Sequence, residues 1–98
     1  MSLKVAFRRA AQDELSEAAA WYENRQPGLG EAFLNELAEA IDHAARHPEQ
    51  HPIALRDVHR ALLRRFPYAV YYRIRNQSLV VLAVFHARRK PIVWKRRL

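Results

Sequence analysis

The chain splits in two by the period at which its apolar residues recur. From Ala10 to Arg25 no glycine or proline intervenes, and Ala11, Leu15, Ala18 and Tyr22 recur at steps of three or four, the spacing of one helical face. Asp13, Glu14 and Glu17 near its start suit the positive end of the helix dipole. Gln26-Pro27-Gly28 ends this helix, and Gly30 opens a second with Phe33, Leu37, Ile41 and Ala44 on one face, closing on Arg46 and His47 before Pro48. So short a turn predicts a helical hairpin. Ahead of it, Leu3 to Phe7 predicts an opening strand. Residues 48–57, with Pro48 and Pro52, are a connection to which the pattern assigns no conformation.

Beyond that connection the period becomes two. His59 to Arg65 alternates loosely. Tyr68 to Arg75 alternates well, with Tyr68, Val70, Tyr72 and Ile74 on one face and Ala69, Tyr71, Arg73 and Arg75 on the other. Asn76-Gln77-Ser78 predicts a hairpin turn, and Leu79 to His86, apolar on both faces, an interior strand covered on each side. The expected order is β-α-α-β-β-β, an α+β fold whose antiparallel-rich sheet carries the helical hairpin on one face.

A chain of 98 residues, half of them hydrophobic and ten aromatic, is expected to form one folded domain over 1–98. Without cysteine it has neither disulfides nor thiolate metal sites. The N-terminus lacks a signal-peptide apolar core, and Leu79 to Phe85 falls far short of the roughly 20 apolar residues that span a bilayer, so a soluble, cytoplasmic protein without membrane contact is expected.

Charge changes this picture most. Residues 56–98 hold twelve of the seventeen Lys and Arg residues and one acid, Asp57, a formal +11, while residues 1–55 carry −4. Like charges so crowded weaken the compact state, so the basic half is expected to face an anionic partner. Arg60, Arg64 and Arg65 fall on the first strand after the connection, Arg73 on the next, and Arg88, Arg89, Trp94, Lys95 and Arg96 in the tail, either a short helix after Pro91 or an extended arm. Guanidinium forks match phosphate and carboxylate oxygens, which suits nucleic acid or an acidic protein segment equally.

His43, His47 and His51 stand four apart. Pro48 and Pro52 are expected to keep the third away from the helix, no carboxylate completes a triad at suitable spacing, and no metal or cofactor is expected. His86 ends the most apolar strand just before Arg88 and Arg89. Either it caps the strand end, or it exchanges protons beside phosphate-binding arginines, as in a metal-free ribonuclease. Two glycines, at 28 and 30, cannot make a P-loop or a dinucleotide fingerprint, and Ser2, Ser16 and Ser78 lie in unsuitable contexts for a catalytic nucleophile.

Several segments together resemble the ParE/RelE toxins of bacterial type II toxin–antitoxin systems, the ParE branch most closely. They are Ala18-Ala19-Ala20-Trp21-Tyr22-Glu23, Pro27-Gly28-Leu29-Gly30 with Phe33 and Leu37, Arg60 through Tyr68, Tyr71-Tyr72, and Val84 through Arg89 with Pro91 and Trp94. The resemblance implies the same β-α-α-β-β-β fold, a cytoplasmic toxin linked to plasmid stabilization, and a hetero-oligomer with a cognate ParD-like antitoxin bearing an acidic C-terminal segment. It implies DNA gyrase as the target of a ParE-type toxin, which is not a nuclease. RelE-type toxins instead cleave ribosome-bound mRNA with lysines, arginines and a late tyrosine. Here the lysines are Lys4, Lys90 and Lys95 and no tyrosine follows Tyr72; a His86, Arg65, Arg88 and Arg89 set is the enzymatic alternative. A degenerate toxin that only binds antitoxin is the third reading. On the ParE reading, Arg60, Arg64, Arg65, Arg73, Arg88, Arg89, Trp94, Lys95 and Arg96 meet antitoxin or target.

Overall fold

A computed structural model of the protein describes residues 2–89 and 95–98. Strand β1 (Lys4–Phe7) leads into helices α1 (Arg9–Arg25) and α2 (Leu29–Arg46), followed by β2 (Ile53–Leu55), β3 (Val58–Leu62), β4 (Tyr68–Arg75) and β5 (Ser78–His86). The strands form one sheet in the order β1-β5-β4-β3-β2, with β1 parallel to β5 and the other neighbours antiparallel. The α+β fold is the expected one, with one additional strand, β2, inside the connection of residues 48–57. The pattern misses β2 because it is three residues long and lies exposed on the sheet edge, so no buried face imposes a period on it.

Both helices pack on one sheet face. Ala11 and Ala18 of α1 and Phe33, Leu37, Ile41 and Ala44 of α2 meet Val70, Tyr72, Leu79, Val81 and Val84 in the main core. The opposite face buries Val58, Ala69, Tyr71, Leu82, Ala83 and Phe85, with Leu98 of the tail packed against them. Covering on both faces explains the unbroken apolar run of β5. Pairing shifts between Tyr71↔Ala83 and Tyr72↔Val81, so Leu82 is an extra residue in β5, and Leu82 and Ala83 both face the second cluster.

The helix hairpin depends on two residues besides its apolar faces. The Glu23 carboxylate accepts the N–H groups of Gly28 (2.9 Å) and Gly30 (2.9 Å), satisfying orphan donors at the start of α2 and placing negative charge at its dipole. Gly30 lets the helices touch, since a Cβ there would stand 2.6 Å from the Ala19 carbonyl oxygen. Gly30→Ala is expected to lower stability by about 1–3 kcal/mol, read from the midpoint of urea unfolding, because the obstructing atom is backbone and the helices must separate.

Three expectations change here. Helix α1 begins at Arg9, so its first turn holds no acid, and Glu14 serves the sheet instead. Arg64 and Arg65 lie beyond β3, because their backbone N–H groups donate to the Glu36 carboxylate of α2 (2.8 and 2.9 Å) rather than to a neighbouring strand. The β4–β5 hairpin turns on Asn76 and Gln77 alone, both with positive φ, while Ser78 already pairs with Arg75.

Candidate functional site

Arg60 projects from β3 on the face opposite the helices, beside Tyr71, its register partner on β4. β5 ends at His86, and the turn after it carries Arg88 and Arg89 back toward the same place, held by the Ala87 N–H donating to the Pro67 carbonyl at 2.7 Å. A cleft of about 520 Å³ results, lined by Pro52, Ile53, Arg60, Tyr71, Arg88 and Arg89, with Ala54 and Ala87 completing the wall. The Arg60 Nη2 donates to the Ala87 carbonyl at 3.3 Å, while its Nε is buried with no partner among the described residues. Three guanidinium groups around one cleft are suited to an anionic group.

The other expected site residues disperse. Arg73 is buried at 6% exposure and bonded to Asp57 at 2.8 Å, so its charge is engaged inside the fold. Arg65 is exposed, 3.8 Å from Glu36, and Arg64 lines a separate cleft beside Glu36 and His43. Lys95 and Arg96 are exposed, and Trp94 lies outside the described residues, as do residues 90–93 of the tail whose helix-or-arm conformation the sequence left open.

The residue that the charge pattern did not single out is Arg97. Its Nη2 pairs with Glu14 Oε2 at 2.8 Å, its Nη1 donates to Glu14 Oε1 and to the Leu82 carbonyl at 3.0 Å each, and its guanidinium stands over the Phe85 ring. Glu14 Oε1 also accepts the Val84 N–H at 3.0 Å. β1 pairs with β5 only as far as Val81, so Leu82 and Val84 carry edge groups beyond it that Glu14 and Arg97 satisfy. A lone acid on the sheet-facing side of α1 was the only signal of this in the sequence.

His86 lines a different cleft, of about 590 Å³, between α1 and the end of β5, with Glu14, Glu17, Trp21, Tyr22, Tyr68, Phe85 and Arg89. Its Nδ1 accepts the Arg88 N–H at 3.2 Å and its ring packs edge-on against Tyr68. Burial pushes the Tyr68 hydroxyl pKa up, with Arg89 opposing, so the hydroxyl keeps its proton at neutral pH. Of the enzymatic set, His86 and Arg89 share this cleft; Arg88 faces the other, and Arg65 lines neither.

Among the described residues no helix is long and apolar enough to cross a membrane. Residues 5–91 match the family model of the ParE toxin of type II toxin–antitoxin system, parDE. Comparison with curated proteins finds no significant match. Two solved structures share the fold. The chromosomal ParDE TA system from P. aeruginosa matches with a TM-score of 0.76 at 16% identity, covering 87% of this chain and 96% of that one. The toxin–antitoxin complex RelBE2 from Mycobacterium tuberculosis matches at 0.62 and 22% identity, covering 88% and 99%.

Proposed function

The chain belongs to the ParE toxin family of type II toxin–antitoxin systems, and on that premise we propose that it inhibits DNA gyrase and is silenced by a cognate ParD-like antitoxin whose acidic segment docks in the arginine cleft. The observation that carries the docking site is the convergence of Arg60, Arg88 and Arg89 around one cleft. An antitoxin carboxylate pairs with these guanidinium groups, and the excess of positive charge steers an acidic chain toward them. Such segments are disordered when free and order on binding. The two solved relatives, each a toxin–antitoxin system, support a hetero-oligomer.

With purified gyrase, the protein is expected to block supercoiling and trap cleaved DNA, and the antitoxin to reverse both. Arg60→Ala with Arg88→Ala is expected to weaken antitoxin binding by about tenfold or more in calorimetry. A preparation that arrests growth yet neither inhibits gyrase nor traps cleaved DNA sinks the gyrase reading. The shared cleft of His86, Tyr68 and Arg89 favours the enzymatic alternative. mRNA cleavage on translating ribosomes that His86→Ala abolishes would install it instead.

A further inference from the structure

The histidines near the end of α2 are absorbed by neither docking nor folding of the core. The two prolines were expected to hold His51 away from the helix, but residues 48–52 fold back. The Gln50 N–H donates to the His47 carbonyl at 3.1 Å, and the Tyr72 hydroxyl donates to the Pro48 carbonyl at 2.8 Å. His59 Nδ1 then bonds the His51 carbonyl at 2.8 Å, with its ring stacked on Tyr72 at 5.1 Å between centroids. These contacts fix His51 so that its Nε2 hydrogen-bonds His43 Nδ1 at 3.2 Å, one ring nitrogen donating to the other, a proton that a bound metal ion would displace.

That separation is close to what one metal ion requires. Two imidazole nitrogens about 2.0–2.1 Å from a tetrahedral Zn²⁺ lie about 3.3–3.4 Å apart. Both rings border a cleft of about 510 Å³ that Glu39 also lines. Glu39 sits one helical turn before His43, hence on the same face, and is exposed. Its carboxylate is the neighbour free to move, since Asp42 pairs with Arg46 at 2.8 Å and Glu36 holds the Arg64 and Arg65 backbone.

We propose that His43 and His51 form a preset two-imidazole site for a divalent transition metal ion, which Glu39 completes by rotating into place and water fills at the fourth position. As placed, no three such ligands among the described residues stand together, so the ion recruits its third donor on binding. Arg46 and Arg64 line the same cleft and hold the affinity below that of a closed structural site. The bound ion joins α2 to the segment leading into β2.

The test is calorimetric titration of Zn²⁺ into the full, untagged chain, paired with thermal unfolding. One ion is expected to bind per chain and to raise the melting temperature by several degrees. His43→Ala and His51→Ala are each expected to lower affinity at least about tenfold, and Glu39→Gln by less. His43 is exposed, so its variant keeps the fold, and circular dichroism without metal checks both. Absence of one-to-one binding at submillimolar Zn²⁺, or binding that survives both histidine substitutions, overturns the proposal.

Discussion

Phe33→Ala is expected to remove about 3–5 kcal/mol of folding stability, the range for deleting a fully buried phenylalanine when the surroundings relax only in part. Phe33 has no exposed surface, and its ring lies 5.2–5.3 Å from those of Tyr22, Phe66 and Tyr68. Tyr22 also meets Phe66 edge-on at 4.8 Å, so the four rings join α1, α2 and the segment entering β4 around one point. Offset and edge-on pairs contribute about 0.5–1.5 kcal/mol beyond area burial, and alanine at position 33 ends three of them at once. A domain of this size has about 5–15 kcal/mol in total, and the repulsion within its +11 half acts against the upper end. The expected fall in melting temperature is about 12–40 °C, with a matching loss in the urea midpoint. Leu34→Ala, one residue along the same helix at 40% exposure, is the control and is expected to cost under about 1 kcal/mol. Equal losses for the two would mean that the aromatic cluster is not the centre of the core.

The same residue shows what the sequence reveals well. Phe33, Leu37, Ile41 and Ala44 are all buried, as their spacing requires, because a helix decides its own face within a few turns. Tyr72 and Tyr71 fall on opposite sheet faces as alternation predicts. What could not be read is decided by contacts distant along the chain. Arg64 and Arg65 leave the strand period because a glutamate 28 and 29 residues earlier accepts their backbone N–H groups. The partner that holds Arg97 is 83 residues away, and the parallel pairing of β1 with β5 depends on a crossover with no local signature.

Charge follows the same division. The asymmetry itself is plain in composition, and it points to a docking surface. Which arginines are available for docking is not, since Arg60, Arg73 and Arg97 look alike in sequence. Structure separates them by partner: Arg73 has Asp57, Arg97 has Glu14, and Arg60 has no carboxylate partner among the described residues. His51 fails as a sequence inference for a related reason. Proline does end α2, but the turn it starts returns to the helix, and only the tertiary bonds of Tyr72 and His59 show that.

Asp57→Ala is expected to cost about 2–4 kcal/mol at neutral pH, less than the ~3–5 kcal/mol for breaking a fully buried ion pair because Asp57 itself is half exposed. The asymmetry of the pair sets the size. Arg73 has 8% of its side chain exposed and already carries a buried Nε without a partner, so removing Asp57 strands a cation in the sheet. Arg73→Met is expected to cost less, because it leaves the carboxylate in water, where it is hydrated, and fills the site with an apolar chain. The double variant should then lie close to Arg73→Met alone, a large coupling energy in the cycle. Acid provides an independent check. The Arg73 hydrogen bond, helped by the charges of Arg73 and Arg75 and opposed by desolvation, holds the Asp57 pKa below its usual 3.8. The folded value is thus the lower one, and the stabilisation is complete above about pH 5 and lost as pH falls through the folded pKa. Denaturation midpoints of the native chain and Asp57→Ala should therefore differ most at neutral pH and draw closer below pH 3.8. Asp57→Asn, which keeps an acceptor for Arg73 without the charge, should lie between them at neutral pH and keep a constant distance from Asp57→Ala as pH falls, since neither variant titrates at position 57. A gap that persists unchanged into acid would place the cost in the turn, where Arg56 holds a positive φ of 53°, and not in the ion pair.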